Sequence, residues 1–151
     1  MLALLREVGY NELTIEAVAQ RAGVGHTSIY RRWPSKAHMV HEVVFPDQPP
    51  RELDADLCFD DVVRAFAMGV VDAMSRPEAR AALPSLMAEA QADPELLRRL
   101  VSRFEPVARS ELRRAADLAV ARGELRSDAA IDRIYDAILG AAFALPYLGR
   151  R

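Results

Sequence analysis

One cysteine, one lysine and one tryptophan stand among 151 residues, and each scarcity excludes something. The lone Cys58 leaves no intrachain disulfide and no cysteine spacing for a metal site, so it is read as structural. No apolar run approaches the roughly 18 residues that span a bilayer. The opening MLALLREVGYNEL places Glu7 among its apolar residues and offers no small-residue cleavage site, so it is not read as a signal peptide. These absences point to a cytoplasmic protein with no membrane partner. The net charge is only -2, so no overall basic field advertises a nucleic-acid partner either. Lysine is nearly missing from the 20 cations, which reflects a coding bias toward arginine more than function. What is present is 51% hydrophobic and 28% charged residues, the composition of a globular protein large enough to bury about 70% of its unfolded surface.

Strand-like alternation never persists, whereas apolar residues recur at helical spacing almost throughout, so the fold class is all-α. The N-terminal part divides into short pieces. Residues 2–8 form the end of a helix closed by Gly9. Thr14 caps a second helix to about Ala22, which Gly23 breaks. A third covers 26–32, and Ser35 caps a fourth to about Phe45. FPDQPPRELDAD, with three prolines and four acids, is the one clear linker. It sets a boundary between an N-terminal domain, 1–45, and a C-terminal helical domain, 46–151. Beyond it the helices lengthen: 58–75; Pro77 to about Gln91, kinked or split at Pro84; and a long helix from Pro94 to about Arg122, capped by Asp93, bent at Pro106 and ended by Gly123. Asp128 caps a last helix with Ile131, Ile134, Tyr135, Ile138, Leu139, Ala142 and Phe143 on one face.

The cations are not evenly spread. Three of the five in residues 1–45 fall between Arg31 and Lys36, in the stretch HTSIYRRWPSK. Upstream of it, Ala19, Gly23 and Ile29 occupy the offsets that two helices crossing through a tight turn demand. A small residue lies where they approach, a glycine takes positive φ, and a branched apolar residue packs back. Val18, Val24, Trp33 and Met39 fill the remaining core. The pattern is a helix-turn-helix.

VGYNELTIEAVAQRAGV followed by SIYRRWPSKAHMV resembles the DNA-binding domain of the tetracycline-repressor (TetR) family of transcriptional regulators. ADPELLRRLVSRF and AVARGELRSDA resemble a subtype of that family's C-terminal effector-binding and dimerisation domain. The resemblance implies a short recognition helix with its N-terminal residues toward base edges in the major groove. His26, Thr27 and Ser28 are then the candidates for direct contact, and Arg31 reaches bases or backbone. Tyr30 offers a hydroxyl to a phosphate, while Thr14 and Lys36 meet phosphates at helix N-termini. Other readings of these residues stay open: Arg31 and Arg32 as a solvated face, Thr27 and Ser28 as capping residues, Tyr30 as part of the core. Trp33 stands where the family has Phe. Gly25 and His26 stand where it more often has Ser and Lys, so a capping bond and a permanent charge are lost, and DNA affinity becomes a candidate for pH dependence.

The resemblance further implies a homodimer on a palindromic double-stranded DNA operator and a C-terminal cavity for a small effector. Helical phase nominates Phe66, Val70, Met74, Met87, Gln91, Phe104, Ala108, Tyr135 and Phe143 as its lining, with plain core as the competing role for each. Few of these are polar, so an apolar or aromatic effector is expected. The implied function is a ligand-responsive repressor; the alternative is a shortened helix-turn-helix paralogue that binds ligand or dimerises with little DNA binding. Only two turns precede Gly9 where the family has a longer first helix, and the chain stops at LPYLGRR where the family adds another. The natural start is therefore expected upstream of Met1, unless the gene is a shortened paralogue. HMVHEVVF falls short of a zinc-protease motif because the residue four after His41 is Phe45, although His38, His41 and Glu42 could share a face. No phosphate loop, nucleophile elbow or catalytic carboxylate pair stands out. Neither an enzyme nor a bound cofactor or metal is expected.

Overall fold

A computed structural model describes residues 1–46, 57–102 and 105–147. Among the described residues there are helices and no strand: α1 (Leu2–Glu12), α2 (Ile15–Ala22), α3 (His26–Arg32), α4 (Lys36–Val44), α5 (Phe59–Ser75), α6 (Pro77–Ala92), α7 (Pro94–Ser102), α8 (Glu105–Ala121) and α9 (Ile131–Tyr147). None of them is long and apolar enough to cross a membrane.

The boundaries follow from local chemistry. Gly9, at φ 75° and ψ 175°, interrupts α1. Thr14 Oγ1 accepts the Ala17 N–H at 3.1 Å and so pairs one of the four donors a helix start leaves open. Gly23 ends α2 in the left-handed region, φ 67° and ψ 29°. There its N–H returns to Gln20 and the Val24 N–H to Ala19. Ser35 Oγ accepts the His38 N–H at 3.4 Å and caps α4. Gly123, at φ 75°, closes α8 in the same way as Gly23 closes α2.

Three expectations are corrected. The stretch from Pro94 to Arg122 is two helices, α7 and α8, and Pro106 lies in the first turn of α8, where a missing N–H costs nothing. Pro84 does not split α6, which runs through it; Pro84 is exposed, so the Arg80 carbonyl it leaves unpaired can take water. Asp128 does not cap α9, which begins at Ile131; its carboxylate pairs with Arg126 at 3.3 Å.

The packing also departs from a linear cut at residue 45, because the helices form two compact units that interleave in sequence. The first comprises α1–α4 with α6 and α7. In it α6 packs on α1 and α4, α7 on α6 and α4, and α2 on α3. The physical reason is the buried face of α6: Ala79, Ala82, Leu83, Leu86 and Ala90 recur at helical spacing, and their small side chains permit close approach. Polar ties add to it. Arg6 of α1 pairs with the buried Glu78, Ser85 donates to Asn11 Oδ1 at 3.1 Å, and Arg76 donates to the Val44 carbonyl at 2.9 Å. In the second unit α5, α8 and α9 pack on one another around Phe59, Ala115, Ala116 and Ala119. Arg109 of α8 there meets Glu105, Asp132 and Asp136 and lies 4.2 Å over the Tyr135 ring.

Three substitutions test this account in urea unfolding. Gly23→Ala forces a side chain into the left-handed region and should cost about 1–2 kcal/mol, whereas Gly25→Ser, at φ -68° and with open space around it, should be neutral or gain a few tenths. Leu86→Ala should cost about 2–5 kcal/mol.

Candidate nucleic-acid interface

A seven-residue helix is too short to persist alone, so α3 depends on what anchors it. Of its described residues Ile29 alone is buried, at 5% exposure. His26, Thr27, Ser28, Tyr30, Arg31 and Arg32 all face outward, with Tyr30 46% exposed. The left-handed turn at Gly23 sets the direction of entry, and Trp33 ends the helix with its N–H on the Ile29 carbonyl at 2.9 Å. Trp33 is extended, as the residue before a proline must be. Sequence and turn together thus present one short helix by nearly its whole circumference.

The neighbouring elements hold this pair in place. Arg21 at the end of α2 forms a fork with Glu7 of α1, at 2.5 and 2.9 Å, and that hydrogen-bonded guanidinium holds the Glu7 carboxyl below its ordinary value. Arg32 pairs with Glu42 of α4 at 2.8 Å and lies 4.9 Å over the Trp33 ring, so it braces α3 against α4. Arg31, by contrast, is exposed and pairs with no carboxylate among the described residues. Of the two adjacent arginines, Arg31 is the one whose charge is available.

Lys36, in the first turn of α4, has partners that the sequence does not show. Its ammonium donates to the Tyr10 carbonyl at 3.0 Å and reaches the Asn11 carbonyl at 3.5 Å, at the C-terminal end of α1. It also stands 4.3 Å from the centroid of the Tyr10 ring. Sequence reading did not bring Tyr10 to this site: the Gly-Tyr pair belongs to the motif, but no spacing rule connects residue 10 to residue 36. Val24, expected in the core, is 47% exposed in the turn, because Ile29 and Ala19 already fill the crossing. Thr14 serves as the cap of α2 through its side chain and remains exposed. Gly25 gives α3 no side-chain cap.

His38, one turn into α4, has Nδ1 2.8 Å from Ser35 Oγ, and its Nε2 is covered without a partner among the described residues. Burial, reinforced by the Arg99 charge and opposed by Asp93 and Glu95, holds its pKa below the ordinary value. No group of three or more histidine, cysteine or carboxylate side chains among the described residues is placed to hold a metal ion.

The residues nominated for an effector site fall into both units. Phe66, Val70 and Met74 lie half-buried on α5, Ala108 half-buried on α8, and Phe143 half-buried and Tyr135 buried on α9. The Phe66 and Tyr135 rings are 6.0 Å apart. Met87, half-buried, and Gln91, exposed, lie on α6 in the first unit. Phe104 lies outside the described residues.

Comparison with known proteins bears on this geometry. Residues 2–43 match the family model described as bacterial regulatory proteins, tetR family, and residues 58–150 match the model for the tetracyclin repressor-like C-terminal domain. The chain is 29% identical over 144 residues to an uncharacterized HTH-type transcriptional regulator of Mycobacterium bovis, covering 92% of this chain and 68% of that protein. YdeS of Bacillus subtilis, also an uncharacterized HTH-type transcriptional regulator, is 25% identical, with 93% and 71% covered. Salmonella enterica GusR has a similar fold, with a TM-score of 0.64 at 18% identity, over 93% of this chain and 77% of that one.

A lowered histidine pKa means that the folded state prefers neutral His38. The stability it contributes is complete above about pH 6.5, the ordinary value, and is lost as the pH falls toward the folded value. The urea midpoint should therefore drop between pH 7.5 and 5.5, and His38→Gln should lessen that drop; an unchanged pH dependence in the variant would show that His38 is not its source.

Proposed function

With this chain belonging to the tetracycline-repressor (TetR) family and so a DNA-binding transcriptional regulator, we propose that it is a repressor that occupies a palindromic operator as a homodimer and is released by a small apolar or aromatic effector. The observation that carries the DNA-reading part is the exposure of α3 around its single anchor, Ile29. His26, Thr27 and Ser28 then face base edges at the start of the helix, and Arg31 supplies the available charge. Tyr30, Thr14 and Lys36 contact the phosphate backbone. Two such helices related by a two-fold axis read half-sites about one turn of DNA, or a multiple of it, apart.

The effector-responsive part is supported by composition. Phe66, Val70, Met74, Ala108, Tyr135 and Phe143, all in the second unit, are apolar or aromatic, and a cavity among them excludes strongly charged ligands. Release follows from linkage. An effector that favours a conformation in which α4 swings and the two recognition helices separate weakens DNA binding by the same factor by which DNA weakens effector binding.

The direct test is fluorescence anisotropy with a labelled duplex from upstream of this gene against a scrambled duplex at two salt concentrations. Tight, salt-sensitive binding that prefers the native duplex supports the reading; equal and weak binding to both supports a helix-turn-helix module that binds ligand or dimerises instead. On a cognate duplex, Arg31→Ala should cost about 1–3 kcal/mol, and Thr27→Ala should relax discrimination at one base pair by a similar amount, with far-ultraviolet circular dichroism unchanged in both.

A further inference from the structure

Lys36 has more internal contacts than a surface lysine needs. Its ammonium lies on the carbonyls of Tyr10 and Asn11, which belong to the last turn of α1, and over the Tyr10 ring. These carbonyls lie in the short turn after the break at Gly9 and have no further helical turn to donate to them, so they are free to accept from a cation. The ring adds its negative face. Tyr10 is 3% exposed, so the ring is fixed in the core while the ammonium it holds sits on half-buried Lys36 in the first turn of α4. A free lysine loses much rotamer freedom when it engages a phosphate. Here that ordering is largely complete before DNA arrives.

We propose that Tyr10 is a positioning residue for DNA binding: its ring face and carbonyl fix the Lys36 ammonium at the start of α4, so that a backbone phosphate meets a charge already in place. The proposal rests on the reading of Lys36 as a phosphate contact. The donor count permits it. An ammonium has three N–H groups; the 3.0 Å bond to Tyr10 takes one, the 3.5 Å approach to Asn11 is at the edge of hydrogen-bonding range, and attraction to a ring face uses no donor. At least one donor thus remains for a phosphate oxygen. The phenol end of Tyr10 is a separate matter: burial and the Glu89 carboxylate beside it raise its pKa. Tyr10→Phe removes only that end, whereas Tyr10→Leu removes the ring and leaves an apolar side chain.

The experiment measures the salt dependence of binding to the tightest duplex recovered by selection from a random-sequence pool. Lys36→Met should reduce the slope of log affinity against log salt by about 1, as loss of one phosphate contact does. Tyr10→Phe should keep the wild-type slope, Tyr10→Leu should lose part of what Lys36→Met loses because the carbonyl contact remains, and the double variant should lose no more than Lys36→Met alone. A Tyr10→Leu slope equal to wild type beside a reduced Lys36→Met slope overturns the proposal alone. An unchanged Lys36→Met slope overturns the phosphate reading and the proposal with it, and failure to select any duplex overturns the DNA-binding reading itself. A measurement on the unaltered protein guards against a Tyr10→Leu chain that does not fold. The ring should shift the Lys36 ε-methylene proton signal upfield, and that shift should persist in the DNA complex. Its return to the position of a free lysine on DNA binding would show that the ring does not hold the ammonium at the phosphate.

Discussion

The burial of Ile29 is the constraint on which the outward surface of α3 depends. A helix of seven residues gains too few backbone hydrogen bonds to offset its nucleation cost, and α3 has no side-chain N-cap to help it. It exists because one branched side chain is inserted beside the α2 crossing while the left-handed Gly23 fixes the angle at which the chain turns. Everything α3 presents outward, from His26 to Arg31, inherits its direction from that one anchor and that one glycine. The arrangement also explains how so many residues of a short helix can be exposed without unfolding it.

Around this pair the structure spends its few cations on bracing as much as on display. Arg21 is forked onto Glu7, Arg32 is shared between Glu42 and the Trp33 ring, and Lys36 is seated on the end of α1. Arg31 keeps an exposed, unpaired charge among the described residues. A near-neutral chain can nonetheless bind a polyanion if the charges that meet it are held in fixed positions, because less side-chain entropy is then lost on binding. The same braces run on into α6, whose alanine-rich face and polar ties at Arg76, Glu78 and Ser85 join α1 and α4 into one packed unit with it.

The sequence alone determined the helix class, the starts and stops of α2, α3 and α4, and the turn between the reading pair. Thr14, Gly23 and Ser35 act through hydrogen bonds and φ preferences that span only a few residues, and such signals are legible wherever the residue type is specific. The outward residues of α3 were legible for a related reason: once Ile29 is assigned to the core, the rest of so short a helix has nowhere else to point. Tertiary structure decided what depends on a partner far along the chain. It brought α6 and α7 to α1–α4, which no composition shift near residue 45 reveals. It also left Val24 in the open and turned Lys36 onto Tyr10. Burial and charge pairing are properties of two surfaces together, and a sequence displays only one of them at a time.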